Sequence, residues 1–147
     1  MLKNKLRQLS ELTSLQWWII LVAVFMLPMI ALSLRLSGFK QTKNRMFRLI
    51  PTGIDSISAR EDDLSRALLI SRAVAIAGNH GLFKANCLKQ SLLTWCLLGR
   101  RGIAAELKIG VKKDVIALNA HAWVEYRGNI LIDTADIGER FLELRSH

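Results

Sequence analysis

The sequence predicts an α+β fold in which two helices precede a small antiparallel sheet. Up to residue 99 of the globular part, apolar side chains recur at helical spacing, whereas from residue 103 onward their period changes to two. Turn residues separate three segments that have this shorter period, as expected for neighbouring strands. Helices followed by strands is the order of an α+β domain, and 147 residues leave room for one such domain.

A long apolar run lies near the start of the sequence. Residues 12–34 contain no charged side chain, and about 20 apolar residues suffice to cross a membrane. Pro28 interrupts the run, but spanning helices tolerate proline. The run is equally compatible with a spanning helix and with a hydrophobic helix that docks on the domain or on a partner protein. A cleaved signal peptide is less favoured, because no small-x-small site precedes the basic residues.

Positive charge is concentrated beside this run. Eight of the 21 Lys and Arg residues and one of the 12 acids lie in residues 1–50, which gives this segment +7 and the rest of the chain +2. This distribution favours a membrane surface over nucleic acid as a partner. If the run spans, the basic cluster after it places the C-terminal part in the cytoplasm. We therefore predict a hydrophobic helix, membrane-associated or docking, with a basic connector in residues 1–50, and a globular domain in residues 51–147.

The globular part begins with two predicted helices and continues with three predicted strands. A Ser-Ala-Arg-Glu segment at residues 58–61 has the pattern of a capping box, and a Gly-Asn-His-Gly cluster ends this first helix. Asn86 is a good N-cap for the second helix, which ends at Gly99 and Gly102. The predicted strands are residues 103–111, 120–126 and 129–135.

Cys87 is predicted to occupy the first turn of the second helix. Unpaired amides and the helix dipole favour negative charge there, and a thiolate is the form of cysteine that attacks carbonyl carbon. The alternative is a small, inert, buried side chain. Cys96 faces the other side of the helix and is predicted to pack in the core, too far along the helix for a disulfide. The cysteines and histidines lack the spacing of a zinc site, and we expect no metal or cofactor.

A cysteine nucleophile needs an imidazole to accept its proton and a polar group to orient that imidazole. His121 lies in the second predicted strand, and Asp133 lies in the third, where an unpaired acid is unexpected. The alternatives are a core or edge histidine and a turn or cap aspartate. Ser91, one turn after Cys87, either supports such a site or faces solvent.

The loop between the second and third strands decides whether His121 and Asp133 can meet. Side chains alternate along a strand, so His121 and Trp123 share one face. A two-residue loop after Tyr126 opposes Asp133 to Ala122, on the wrong face, whereas a three-residue loop opposes it to Trp123. We therefore predict the three-residue loop, or a bulge with the same effect.

The combined pattern resembles a known family. A Cys-Leu-x-x-Ser helix start is followed by a Gly-Ile turn into a strand ending Ile-Gly-Val, an Ala-His-Ala-Trp-Val-Glu strand and an aspartate after a Gly-containing turn. Over residues 85–144 this order resembles the lasso-peptide biosynthesis B proteins in their C-terminal peptidase half, the microcin-type leader peptidases of the transglutaminase-like superfamily. The resemblance implies that residues 51–147 are a papain- or transglutaminase-like cysteine peptidase, with a nucleophile at the start of a helix packed on the sheet. It implies Cys87 as nucleophile, His121 as base and Asp133 as orienting acid.

The resemblance also implies a substrate and partners. The substrate is expected to be a ribosomally synthesised precursor peptide cut between leader and core, which a separate ATP-dependent cyclase then closes into a lactam. Residues 1–57 leave no room for the small leader-binding domain that some relatives carry, so a separate leader-recognition protein is expected. Residues 12–36 are a further candidate contact, with the inner face of the cell membrane. The alternatives are a transglutaminase-type acyltransferase and a non-catalytic, membrane-tethered adaptor.

Overall fold

The fold is α+β, as predicted, with helices first and strands afterwards. The computed structural model describes residues 14–52, 61–80, 85–113, 118–131 and 142–143. The helices are α1 (Ser14–Phe47), α2 (Asp63–His80) and α3 (Cys87–Arg100), and the strands are β1 (Glu106–Lys113), β2 (Leu118–Tyr126), β3 (Asn129–Ile130) and β4 (Leu142–Glu143).

Helix α1 is long, apolar and bent. Gly38 has a φ of 76°, outside the helical range, so the helix breaks direction there. The Ser33 and Thr42 hydroxyl oxygens lie 2.9 Å apart across the bend and brace it. Helix α1 is long and apolar enough to cross a membrane. This finding rests on length and composition alone, as does the prediction from the apolar run in the sequence.

The two faces of α1 have different surroundings. One face joins the core that α2 and α3 form, through Ile19, Ala23, Leu27 and Ile30. The opposite face exposes large apolar side chains at helical spacing, which we call the apolar stripe: Trp18, Leu21, Phe25, Met29, Leu32 and Leu36. The helix is thus docked on the domain while its outer face stays open. The boundary at residue 50 remains a prediction, although α1 shares the core of the helices after it.

The core lies between the helices and one face of the sheet. Side chains alternate along β2, so Ala122, Val124 and Tyr126 point toward the helices and are buried. Helix α3 contributes the largest share of fully buried side chains, and Cys96 is among them, as predicted: Leu92, Leu93, Thr94, Cys96 and Leu98. On helix α2, the Ser71 hydroxyl donates a hydrogen bond of 2.8 Å to the Leu131 carbonyl and so ties α2 to the sheet.

The described strands form one antiparallel sheet in the order β3-β2-β1-β4. β1 and β2 pair along their length, from Glu106 opposite Glu125 to Lys113 opposite Leu118. β4, which the sequence did not predict, pairs Glu143 with Gly110 on the other side of β1. Of the predicted strand 129–135, β3 covers two residues, and residues 132–135 lie outside the described part of the chain.

The hairpin between β2 and β3 differs from the prediction. Tyr126 pairs with Asn129, so the loop contains two residues, Arg127 and Gly128, with φ of 51° and 78°. Two positive φ values are those of a type I′ turn, which matches the twist of the strands. The three-residue prediction was wrong because Arg127 adopts the left-handed conformation, with its guanidinium 5.6 Å from the centre of the Tyr126 ring. The Asn129 side-chain amide then donates a hydrogen bond to the Tyr126 carbonyl at 3.2 Å.

Helix α2 also begins later than predicted. Its first residue is Asp63, and Glu61, the last residue of the predicted capping box, lies in the turn before it. The Asp63 carboxylate lies in the first turn, where the helix dipole favours negative charge, and 3.7 Å from the Arg66 guanidinium one turn later. Residues 58–60 of the predicted capping box lie outside the described residues.

Candidate active site

Cys87 is the first residue of α3, and Asn86 is its N-cap, as the sequence predicts. The Asn86 side-chain oxygen accepts a hydrogen bond of 3.2 Å from the Lys89 amide, which satisfies one of the free amides of the first turn. The Cys87 side chain is half-buried. The thiol thus lies at the positive end of a helix dipole and is partly exposed.

Gln90 fixes the segment that leads into Cys87. Its buried side-chain amide donates to the Ala85 carbonyl at 2.8 Å and to the Asn79 side-chain oxygen at 3.3 Å. Gly78 on α2 leaves space for this amide, because a Cβ at that position would lie 2.6 Å from the Gln90 nitrogen. The end of α2, the residue before the N-cap and the first turn of α3 are therefore held together. No motif of the sequence indicated this role of Gln90.

Ser91 joins α3 to the edge of β2. Its buried hydroxyl donates a hydrogen bond of 2.9 Å to the Ala122 carbonyl. The Val124 carbonyl accepts from the Leu131 amide on the β3 side of β2, and carbonyls two residues apart in a strand point to the same side. The Ala122 carbonyl therefore points to the same side of β2 as the Val124 carbonyl, past the described end of β3. The Ser91 hydroxyl forms its hydrogen bond there. Ser91 supports the contact between α3 and the strand of His121 and does not face solvent.

The chain direction places the start of α3 at the His121 end of β2. A short connection, residues 101–105, leads from α3 into β1, whose first residue, Glu106, pairs with Glu125. The C-terminal end of α3 thus lies at the Glu125 end of β2, and its N-terminus lies toward the other end. Cys87 precedes Ser91 by one turn, a rise of about 6 Å. The structure therefore brings the helix that begins at Cys87 against the strand that carries His121.

His121 lies on the face of β2 opposite to that of Ala122 and Val124, together with Trp123 and Glu125. The His121 and Trp123 rings stack with centroids 6.3 Å apart and planes inclined by 18°. Trp123 is 2% exposed, and its indole N–H donates to the Glu125 carboxylate at 2.7 Å. Gly110 lies opposite His121 on β1 and places no side chain beside the imidazole. A rigid aromatic neighbour thus limits the orientations of the His121 ring.

Asp133, the predicted orienting acid, lies outside the described residues. A three-residue loop would favour this role for Asp133, but the observed hairpin loop contains two residues and does not favour it. The described pairing of β3 ends at Ile130, three residues before Asp133. The assignment of Asp133 therefore rests on the family resemblance.

Cys96 has the opposite environment to Cys87. It is 1% exposed, and its sulfur lies 3.8 Å from the Met46 carbonyl oxygen of α1. Burial raises the pKa of the Cys96 thiol above its ordinary value, against a smaller lowering by the Arg100 charge. Cys96 is therefore a protonated core residue at neutral pH, as predicted.

A groove of about 850 Å³ lies between α1 and the start of α3. One wall consists of apolar side chains of α1 between residues 27 and 34, followed by Arg35. The other wall consists of Ala85, Asn86, Leu88 and Lys89. Within the described residues, no group of His, Cys, Asp and Glu side chains is arranged to hold a metal ion.

The fold and this site define a class of protein: a cysteine at the N-terminus of a helix that packs on a histidine-bearing strand is a candidate thiol-dependent enzyme site. The family model of the transglutaminase-like superfamily matches residues 27–146, more than four fifths of the chain. The chain therefore belongs to the transglutaminase-like superfamily, whose members are often cysteine-dependent enzymes and include peptidases and acyltransferases. No curated protein and no solved structure matches the chain significantly.

Proposed function

We propose that this protein is a cysteine peptidase that removes the leader from a ribosomally synthesised lasso-peptide precursor. The observation that carries the proposal is the position of Cys87, at the capped start of a helix that Ser91 ties to the strand of His121. Membership of the superfamily supports the thiol chemistry. The Cys-Leu-x-x-Ser and Ala-His-Ala-Trp-Val-Glu motifs support the particular substrate, through their resemblance to the leader peptidases.

The proposed reaction proceeds through an acyl-enzyme. His121 accepts the proton of the Cys87 thiol, and the sulfur attacks the carbonyl carbon of the bond between leader and core. The Cys87 amide, free at the start of α3, stabilises the oxyanion. His121 then gives its proton to the departing amine of the core, and water hydrolyses the thioester to release the leader and restore the thiol. We assign the orientation of His121 to Asp133, in addition to the Trp123 ring that stacks on it.

The proposal includes two protein partners. A separate leader-recognition protein presents the precursor, and an ATP-dependent cyclase closes the released core into a lactam. Both follow from the family resemblance, as does the absence of a cofactor from the proposed reaction.

The proposal also places the protein at the inner face of the cell membrane. The apolar stripe of α1 extends from Trp18 to Leu36, about 27 Å along the helix. Soluble monomers rarely expose contiguous apolar patches larger than a few hundred Å². The exposed basic residues Lys40, Arg45 and Arg48 follow the stripe and complement anionic lipids. Because the inner face of α1 is docked in the core, we propose that α1 lies in the membrane plane.

Flotation with lipid vesicles tests this location. Wild type should float with vesicles that contain phosphatidylserine, and Phe25→Ser with Met29→Ser should abolish flotation, because these side chains are 72% and 69% exposed in the stripe. Leu68→Ser is the matched control, since Leu68 is exposed on α2, outside the stripe. Wild type that stays at the bottom with every vesicle composition would contradict the membrane location and assign the stripe to a protein partner.

Cleavage of the precursor tests the catalytic proposal. A lasso-peptide precursor and its leader-recognition protein are incubated with wild type, Cys87→Ala and Cys96→Ala, and the products are weighed by mass spectrometry. Free leader and core should appear with wild type and Cys96→Ala and not with Cys87→Ala. A leader that carries an amine in place of water would indicate the acyltransferase alternative. An intact precursor with every variant would indicate the adaptor.

A further inference from the structure

We propose that the groove between α1 and the start of α3 binds the peptide beside its scissile bond and selects an apolar side chain together with a nearby carboxylate. The inference rests on the proposed function, because it takes Cys87 as the residue that attacks the peptide. It assigns to α1 a role in substrate selection in addition to its role in the core.

The groove lies beside the first turn of α3, which begins with the candidate nucleophile. Asn86 and Leu88, the residues before and after Cys87, line it, and Cys87 itself is not among the lining residues. A peptide whose carbonyl is attacked by the Cys87 sulfur has to cross this first turn. On this proposal the residues on one side of the scissile bond then enter the space between α1 and α3. The α1 wall begins at Leu27, the residue at which the superfamily match also begins.

The walls of the groove are mainly apolar. Leu27, Pro28, Ala31 and Leu32 line it from α1, and Leu88 lines it from α3. A concave apolar surface with a small number of polar groups is the usual form of a ligand site. Burial of a leucine-sized side chain against such walls is favourable, because apolar surface leaves water. The groove is thus suited to an apolar side chain of the substrate.

The charged residues of the groove are both cations. Arg35 ends the α1 wall, and Lys89 lies in the first turn of α3. Within the described part of the chain, neither side chain is in an ion pair with an acid. The start of α3 adds the positive end of the helix dipole. A substrate carboxylate that lies between Arg35 and Lys89 would complement these charges, whereas a basic side chain would be repelled.

Alkylation of Cys87 by short peptide probes tests the groove without a known precursor. The probes are iodoacetyl-Leu-Glu-amide, iodoacetyl-Leu-Gln-amide and iodoacetyl-Gly-Glu-amide, and the second-order rate at Cys87 is measured by mass spectrometry. Wild type should react about fivefold faster with the Glu probe than with the Gln probe, as expected for partly exposed ion pairs. It should also react about tenfold faster with the Leu-Glu probe than with the Gly-Glu probe.

Variants assign these preferences to the groove. Arg35→Glu and Lys89→Glu should each reduce the Glu-to-Gln ratio to one or below. Lys40→Glu is the matched control, because Lys40 is an exposed cation of α1 that does not line the groove, and the ratio should remain near five. Leu32→Ser should lower the Leu-to-Gly ratio. Leu32 is 58% exposed, so this substitution leaves the core intact.

The outcomes separate this inference from the proposed function. Equal rates for the Glu and Gln probes, at a Cys87 that reacts faster than a model thiol, would overturn the groove assignment and leave the peptidase proposal standing. A fall of the ratio in Lys40→Glu equal to that in Arg35→Glu would also overturn it, because the effect would then come from the overall charge of α1. A Cys87 that reacts with every probe at the rate of a model thiol would overturn both proposals.

Discussion

The first and the third turn of helix α3 each contain a cysteine, and the two cysteines differ in exposure and in the residues that surround them. Cys87 opens the helix directly after an N-cap and is half-buried. Cys96 lies nine residues later among core side chains, and burial raises the pKa of its thiol. On the proposed function Cys87 is the nucleophile, because it lies at the partly exposed start of the helix, whereas Cys96 is a side chain of the core.

Removal of the Cys87 thiol should have the largest effect. Cys87→Ala is expected to lower kcat/KM for the precursor by a factor on the order of 10⁴ or more, because no other group replaces the nucleophile. His121→Ala should cause a loss of similar size, since the two groups act as a unit. Circular dichroism should show that both variants keep the fold. Cleavage by Cys87→Ala at the wild-type rate would mean that the thiol mechanism is wrong.

Asp133 should matter less than either of these residues. Asp133→Ala is expected to retain more residual activity than His121→Ala, because the Trp123 ring still restricts the imidazole when the acid is lost. Steady-state kinetics of precursor cleavage by the two variants measures this difference. A wild-type rate in Asp133→Ala would remove Asp133 from the site.

The hydrogen bond between Ser91 and Ala122 offers a test of the position of the first turn. Ser91→Ala should cost about 1 kcal/mol of the free energy of unfolding and should also lower kcat, because the start of α3 is no longer tied to the strand of His121. Ser71→Ala is a matched control, since Ser71 is also buried and donates to a main-chain carbonyl of the hairpin, that of Leu131. Equal losses of kcat in the two variants would show that Ser91 acts on stability alone.

Cys96 should affect stability and leave catalysis intact. Cys96→Ala is expected to lower the free energy of unfolding by about 1–2 kcal/mol through the small cavity that it leaves in the core, with kcat unchanged. The raised pKa of the folded thiol adds a dependence on pH. Below the ordinary thiol pKa the contribution of Cys96 is constant, and above it the unfolded state releases its proton first, so stability falls as pH rises. Urea unfolding on both sides of that pKa should show a smaller fall in Cys96→Ala than in wild type.

The parts of the fold that the sequence predicts are those with local causes. The N-cap Asn86 and helical spacing are sufficient to predict the start of α3, and the period of two is sufficient to predict β1 and most of β2. The two faces of α1 were not predictable, because the run is apolar on both sides and hydropathy does not distinguish a docked face from an exposed one. β4 was missed because two residues carry no periodicity and their pairing with β1 is long-range.

The features of the site that depend on residue type were predictable from the sequence. Those that depend on contacts between side chains were not. The loop after Tyr126 depends on a left-handed Arg127, a conformation that sequence assigns to glycine or asparagine first. Gln90 lies three residues before Leu93 and seven before Leu97, which are both buried, so the three side chains share one face of the helix. This spacing was the signal in the sequence that the Gln90 side chain is buried. Its partners, Ala85 and Asn79, belong to different segments and follow only from the packing of α2 against α3.

The most direct test of the contrast between the two turns is the alkylation rate of both cysteines in one molecule. Wild type and His121→Ala are treated with iodoacetamide at about pH 6, where free thiols are largely protonated, and digestion with mass spectrometry gives the rate at each site. Cys87 should react faster than a model thiol in wild type and at or below that rate in His121→Ala, while Cys96 should remain unmodified in both. A Cys87 that reacts no faster than the model thiol, or equally fast without His121, would contradict the catalytic pair.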